Sequence, residues 1–359
     1  MTKPLKGIYL VPYSLSGDGG KNRATRQKAV ALAKEISSLT VLYPKSENLA
    51  LRGGEVILNE LKVMWLLSMQ KSRPDFLLTR GLAGILSVHF ARLIKVKTLR
   101  EVHSVPTQEA WQMRARFVKR LTVSIIGLFD NLVSRISDIR IFNHPQLKDY
   151  FMDKGWLDAG DFFCYNGGAL EDASNITKSQ ARIEFGLPLE KKVLVFVGSA
   201  ASWHGIDHLL SLSIEFEKKG KDILIVCGGG DVSSIDSGNR LINLTPLNSQ
   251  NAAKLIRAAD ACLLPVADIR ISPGSPLKLY DYVLNHRPVI SQNNILGYED
   301  EVMRLGVGIA VDFSYSEQAA VQITEFLSSE FEMPPLRELA EIVSWKSRIK
   351  FWLDAAFCA

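Results

Sequence analysis

The chain has 359 residues, more than one hydrophobic core comfortably serves and about the length of two domains. Apolar residues make up 47% of it and charged ones 23%, which excludes a disordered or fibrous chain, and no apolar run reaches the roughly 20 residues that span a bilayer. The net charge of +5 is unevenly spread: residues 1–165 hold 25 Lys and Arg against 14 Asp and Glu, a net of +11, and the remainder carries −6. A basic half of this kind points to an anionic partner, a nucleic acid or an anionic membrane surface.

The first apolar run, GIYLVPY, reads as a strand and leads into a glycine-rich turn at Gly17, Gly19 and Gly20. Because it runs straight into that turn, without the cleavage region of a signal peptide, a cytoplasmic location is expected. The turn is not a G-x-G-x-x-G fingerprint, since Asn22 stands where the third glycine belongs. RQKAVALAKEI follows with apolar residues at helical spacing. The strand-like runs TVLYP, FLLTR, TLREVH and IRIF come next, each followed by a helical segment, and this alternation predicts a parallel sheet covered by helices.

Within this half, WQMRARFVKRLTVSIIGLFDNLVSRI sets Arg114, Arg116, Lys119 and Arg120 beside an apolar stretch. The pattern fits a helix lying in a membrane interface, and equally a core helix with one solvated basic end. No basic platform with interleaved aromatics and no helix-turn-helix signature is present, so no nucleic-acid partner is expected.

A segment rich in Gly, Asn, Asp and Ser, Asn166 to Pro188, is expected to link the domains. After it VLVFVGS restarts the alternation, which continues through DILIVCGG, LINLT, ACLLPV, PVISQ and GIAVDF, with helical segments such as GIDHLLSLSIEFEKK and SQNAAKLIRAAD between them. The expected division is 1–165 for the first Rossmann-like domain, 166–340 for the second, and a terminal helix over 341–359 packing back on the first. Open parallel sheets bind ligands beyond the C-terminal ends of their strands, so two facing sheets imply a cleft.

The four cysteines lack C-x-x-C spacing, no D-x-D stands at a strand end, and no His/Cys/Asp cluster has ligand spacing; neither a metal nor a cofactor is expected. The segment with most chemistry is SPGSPLKLYDYVLNHRPVI at 272–290. Its breaker-rich loop leads into a helix with Pro276 near the first turn, where unpaired N–H groups and the helix dipole favour an anion such as a diphosphate. Lys278 adds a charge, and Asp281, three residues on, shares its helix face and can accept hydrogen bonds from two ribose hydroxyls. Taken alone, the Lys278 and Asp281 pair fits an ordinary ion pair on a solvated helix as well.

SPLKLYDYVLNHRPVI resembles the donor-binding segment of the GT-B glycosyltransferases of glycosyltransferase family four. VFVGSAASWHGIDHLL, ILIVCGGGD, IRAADACLLPV, REVHS, FFCYNGGA and SWKSRIKFWL resemble further segments of that family in the same order. The resemblance implies an α/β GT-B fold, two Rossmann-like domains facing across a cleft, and a retaining transferase moving a sugar from a UDP or GDP donor to a glycan or lipid-linked acceptor. It implies that His103 projects towards the reacting sugar. It also implies donor contacts from Gly19, Gly20, Ser199, His204, Gly229, Gly274, Ser275, Lys278, Leu279 and Asp281.

Three positions depart from the family pattern. Pro273 stands where a first glutamate is usual, and Ser199 and His204 stand where a basic pair often grips the diphosphate. These departures keep two alternatives open, a nucleotide-sugar epimerase and a non-catalytic carbohydrate-binding or partner subunit.

Overall fold

Strands rich in Val, Ile, Leu and Phe, with apolar residues in succession and not in alternation, must be buried on both faces, and that is where they lie. The computed structural model describes residues 4–17, 19–69, 73–105, 117–169, 176–199, 204–229, 241–244, 247–267 and 274–358, with 49, 50, 118 and 119 by backbone only. The chain divides into two compact units, Met1–Tyr165 with Trp345–Ala359, and Asn166–Ser344.

In unit 1 the chain order is β1 (Lys6–Leu10), α1 (Gly20–Glu35), β2 (Ser38–Leu42), α2 (Leu49–Ser68), β3 (Phe76–Arg80), α3 (Ser87–Leu93) and β4 (Lys97–Val102). It continues with α4 (Phe117–Ile136), β5 (Ile139–Phe142), α5 (Pro145–Asp153) and β6 (Phe162–Phe163). All strand pairs are parallel, in the order β2-β1-β3-β4-β5-β6. One side of the sheet packs Ile8, Leu10 and Leu77 against Val63 and Leu67 of α2, Val88 and Ala91 of α3, and Val133 of α4.

Two arginines on the strands are fully buried, and each is neutralised from a distant segment. Arg100 of β4 pairs with Asp130 of α4 and donates to the Ala83 carbonyl at 2.7 Å. Arg140 of β5 donates from Nε to Asp161 at 2.7 Å. Leaving either charge unpaired would cost several kcal/mol, about 3–5 for breaking a buried pair, so these contacts fix how α4 and the 158–161 turn seat on the sheet.

Unit 2 runs α6 (Lys178–Glu184), β7 (Lys192–Gly198), α7 (Ile206–Lys218), β8 (Ile223–Gly229), β9 (Leu241–Leu244), α8 (Ser249–Ala258) and β10 (Ala261–Leu264). It then runs α9 (Leu277–Leu284), β11 (Val289–Gln292), α10 (Glu299–Leu305), β12 (Gly308–Val311), α11 (Ser316–Ser328) and α12 (Leu336–Val343). This sheet is also parallel, ordered β12-β11-β10-β7-β8-β9, so its strand order reverses between β7 and β10. A crevice at such a reversal is where open α/β sheets hold ligands.

The segment expected as a linker is partly built into unit 2. Thr177 opens α6 with a reciprocal capping box to Gln180, and Arg182 of that helix pairs with Asp260 at 2.6 Å. The segment expected as one terminal helix over 341–359 is divided at Ser344, whose extended backbone (ψ 149°) ends α12 and turns the chain into α13 (Trp345–Phe357). Helix α13 packs on α1 in unit 1.

Candidate functional site

In unit 2 the residues singled out from the sequence gather at the C-terminal ends of β7 and β8 and the start of α9. Gly198 and Gly229 end their strands side by side in the parallel register. A Cβ on Gly198 would lie 2.3 Å from Cε of Lys278, so only glycine lets the Lys278 side chain lie along the strand end. The Lys278 ammonium sits over the Phe196 ring, 4.8 Å from its centroid, a cation–π contact that holds the charge beside β7.

His204 closes the other side. Its Nδ1 donates to the Ser199 carbonyl at 2.7 Å, and its ring meets Phe196 edge-on with centroids 5.9 Å apart. Helix α9 itself is anchored from below. The Tyr282 hydroxyl accepts the Val197 N–H at 3.0 Å, while Leu279 is fully buried, so Leu279 has only its backbone to offer a ligand.

Gly274 turns with φ +66°, and α9 opens on Pro276, an N-cap that makes no side-chain capping hydrogen bond. Ser275, expected among the donor contacts, uses its hydroxyl and carbonyl within unit 2. Its hydroxyl accepts the Asn166 N–H at 3.0 Å and meets the Tyr280 hydroxyl at 2.8 Å, and its carbonyl accepts from Asn166 Nδ2 at 2.7 Å. Ser275 therefore ties the start of unit 2 to α9. The tail of the segment is structural too: His286 leaves the helix in the left-handed region (φ +54°), and Arg287 donates to the Arg257 carbonyl. Pro273 lies outside the described residues.

In unit 1 the corresponding strand ends hold a buried ionic cluster. Glu101 and His103, two apart on β4 and just beyond it, point the same way because strand side chains alternate. Glu101 pairs with Lys28 of α1 and accepts from His103 Nε2 at 2.7 Å, with Arg80 Nη1 3.8 Å away. Burial alone would raise the Glu101 carboxyl, but Lys28, the His103 hydrogen bond and Arg80 hold it well below the usual range.

Lys28 lies between the faces of Trp345 and Trp352, 4.8 and 4.9 Å from the ring centroids, and its burial outweighs Glu101 and pushes it down to about 8. His103 is committed at both nitrogens, since Asn143 Nδ2 donates to Nδ1 at 3.0 Å, which assigns the ring proton to Nε2. Burial and then the Arg80 charge push its pKa down to about 3, so the imidazole is neutral across the physiological range.

Sequence reasoning named His103 and passed over Lys28, Arg80 and Asn143. Glu101 was legible from its two-residue spacing to His103; Lys28 reads as one more helix lysine until α13 covers it. Gly19 precedes α1, Gly20 is its first residue, and a Cβ on Gly19 would meet nothing within 4 Å among the described residues. Arg26 staples the loop before them by donating to the Gly17 carbonyl at 2.7 Å, and Asn22 donates to the Ser16 carbonyl.

Of the basic residues before and within α4, Arg120 is half-buried on the helix, while Arg114, Arg116 and the side chain of Lys119 lie outside the described residues. Among the described residues there is no cluster of three His, Cys, Asp or Glu that could hold a metal ion, and no helix is long and apolar enough to cross a membrane.

The sequence matches no family model and no curated protein. Solved structures are similar over nearly the whole chain. WaaG, a glycosyltransferase involved in lipopolysaccharide biosynthesis, aligns with a TM-score of 0.66 at 15% identity, covering 98% of this chain and 100% of that one. HepE from Anabaena, in complex with UDP-glucose, aligns at 0.61 and 13%, covering 98% and 95%. The chain has the GT-B fold. UDP-GlcNAc 2-epimerase from Methanocaldococcus jannaschii aligns too, at 0.56 and 13%, covering 96% and 98%, so the GT-B architecture alone does not choose between transfer and epimerisation.

Proposed function

We propose that the protein is a glycosyltransferase that binds a nucleotide sugar on unit 2 and transfers the sugar, with retention at the anomeric carbon, to a glycan or lipid-linked acceptor. The observation that carries this reading is the arrangement around Gly198. A cation on α9 is held against a glycine strand end, in the first turn of a helix that opens on Pro276, at the point where the strand order reverses.

These are the parts a leaving diphosphate needs. Oriented N–H groups and the helix dipole meet the developing negative charge, and Lys278 adds a full positive charge. Asp281, on the same helix face, accepts the ribose hydroxyls. Gly198 makes room for the Lys278 side chain, and His204 adds a polar ring beside the Ser199 carbonyl. The resemblance to family four and the nucleotide-sugar enzymes among the structural neighbours support the same donor class, and His103 is the group of unit 1 assigned to the reacting sugar.

A thermal-shift and calorimetric screen of the purified chain against UDP and GDP sugars tests the donor. Saturating donor at about a hundred times its Kd should add roughly 2.7 kcal/mol of stability. Asp281→Ala should weaken the best donor about tenfold to a hundredfold, the cost of a hydrogen bond to a charged group. Unchanged affinity would remove Asp281 from the clamp. Analysis of the sugar product separates the chemistries, because an epimerised free sugar formed without acceptor would replace transfer by epimerisation, and binding without turnover would leave a carbohydrate-binding subunit.

A further inference from the structure

We infer that Lys28 is a positioning residue for His103: clamped by Trp345 and Trp352 of α13, it anchors the Glu101 carboxylate that holds the imidazole in one orientation and one tautomer. The inference rests on the proposed function only for the sugar that His103 meets, and the state of the ring stands apart from it.

A lysine in the middle of a helix ordinarily keeps its charged end in water. Lys28 of α1 is buried instead, because α13 packs on α1 within unit 1. Trp345 and Trp352 stand two helical turns apart on α13, so both indoles fall on one face, and both are buried. The ammonium between them lies 4.8 and 4.9 Å from the ring centroids and donates to Glu101.

The contacts of that carboxylate converge on a single oxygen. Glu101 Oε2 meets Lys28, accepts from His103 Nε2 at 2.7 Å and has Arg80 Nη1 3.8 Å away. Lys28 is the nearer cation, since Arg80 also turns to the Thr25 hydroxyl at 3.3 Å and to the Tyr13 ring at 5.7 Å. The oxygen that orients the imidazole is the oxygen that Lys28 holds, so turning the carboxylate would break both bonds at once. Stability by itself explains the pair poorly, because an apolar pair of similar size is often as stable as a buried ion pair. A fixed acceptor for the Nε2 proton, opposite the Asn143 donor to Nδ1, does require a carboxylate kept charged at that place.

The charges balance in the same way. Lys28 neutralises Glu101, and without it an imidazolium at His103 is the closest replacement. The other titratable groups facing the cluster are Tyr9 of β1, Tyr13, Arg80 of β3 and Cys164, which lies towards Lys28. Burial pushes both phenols up, and although burial opposes the Arg80 charge, Tyr13, Glu101 and Tyr9 hold it, so none of these groups gains a positive charge when Lys28 is removed.

Nitrogen-15 spectra of the full-length protein with labelled imidazoles test this, with the His103 signals assigned by their loss in His103→Gln. The wild-type ring should show one tautomer, protonated on Nε2, and no titration between about pH 5 and 8. Lys28→Met should bring its titration into that window, and Lys28→Arg, which keeps a cation between the indoles, should restore the neutral single tautomer. Trp352→Leu should broaden both ring nitrogen signals, because a loosened Lys28 no longer fixes Oε2. Leu67→Ala, a core truncation on α2, should move none of them. With the donor found by the screen, Lys28→Met should lower kcat about tenfold to a hundredfold, as for a misplaced group, and leave the donor KM within about twofold.

Circular dichroism checks that each variant is folded. A folded Lys28→Met with an unchanged His103 spectrum overturns the inference, and so does a shift of the same size in Leu67→Ala, which assigns the effect to general loosening of unit 1. If Lys28→Met does not fold, unmoved signals in Trp352→Leu overturn it on the same readout. An active enzyme whose kcat is unchanged by Lys28→Met also overturns it. Absence of any turnover, with the spectra as expected, counts against the proposed function alone.

Discussion

The ammonium of Lys278 rests on the ring of Phe196, 4.8 Å from its centroid, so a charge from the first turn of α9 is held at the C-terminal end of β7. The space for this contact exists because residue 198 has no side chain.

Gly198→Ala should therefore act on the ligand as well as on the fold, which it strains because residue 198 has φ +159°. The new methyl would lie 2.3 Å from Lys278 Cε, and the flexible end of the lysine can swing away at little cost. The cation then leaves its seat. Donor affinity should drop by about tenfold to a hundredfold, as for a lost charged contact, and the melting temperature should fall as well because of the backbone strain. Lys278→Ala should show a similar loss, and the double substitution should add little to either single one. Additive losses in calorimetry would mean that Gly198 does not act through Lys278.

Glu101→Gln should be strongly destabilising. It leaves Lys28 buried between two indole faces without its counter-ion, and breaking one partner of such a pair costs about 3–5 kcal/mol. Replacing both residues, with Lys28→Met added, should recover much of the loss. Urea denaturation of the two singles and the double reads this directly, and a double variant less stable than Glu101→Gln would contradict it.

His103 should stay neutral and in one tautomer from pH 5 to 8. Its folded pKa of about 3 lies below the ordinary 6.5, so the unfolded chain binds the extra proton first as the pH falls. Its contribution to stability is present in full above 6.5 and is lost as the pH drops from there towards 3. Nitrogen-15 spectra of labelled imidazole should show a protonated Nε2 and no titration in the physiological range. Asn143→Leu, which removes the donor to Nδ1, should make the ring easier to protonate, and a spectrum unmoved by that change would argue against the assignment.

Asp260 should set part of the acid limit of unit 2. Burial opposes its charge, but hydrogen bonds from Lys178 and the Val193 N–H, with Arg182 nearby, lower it from the ordinary 3.8. A carboxyl with a depressed folded pKa stabilises above the unfolded value and loses that contribution as the pH falls below about 3.8. Asp260→Asn should cost about 3 kcal/mol at neutral pH by leaving Arg182 without its partner, and it should flatten the acid slope. Equal slopes for wild type and variant in denaturant melts between pH 2.5 and 5 would rule this out.

The sequence by itself determined the two parallel sheets, because continuous apolar runs separated by helical periodicity leave few other ways to bury both faces of a strand. FLLTR and IRIF are strands over their full length, and LKLYDYVL is a helix, as their patterns require. Lys278 and Asp281 were legible as one face of that helix for the same local reason, and Glu101 could be read from its two-residue spacing to His103. Tertiary structure alone decided which groups each residue meets. Nothing local in the sequence shows that the Ser275 hydroxyl meets Asn166, 109 residues earlier, and Tyr280. Lys28 becomes a buried cation only when Trp345 and Trp352 close over it. In α4, periodicity gives an amphipathic helix but not its orientation. Contacts from elsewhere in the chain set that orientation: Asp130 is held inside by Arg100, thirty residues away on β4, and Val133 enters the core beside it.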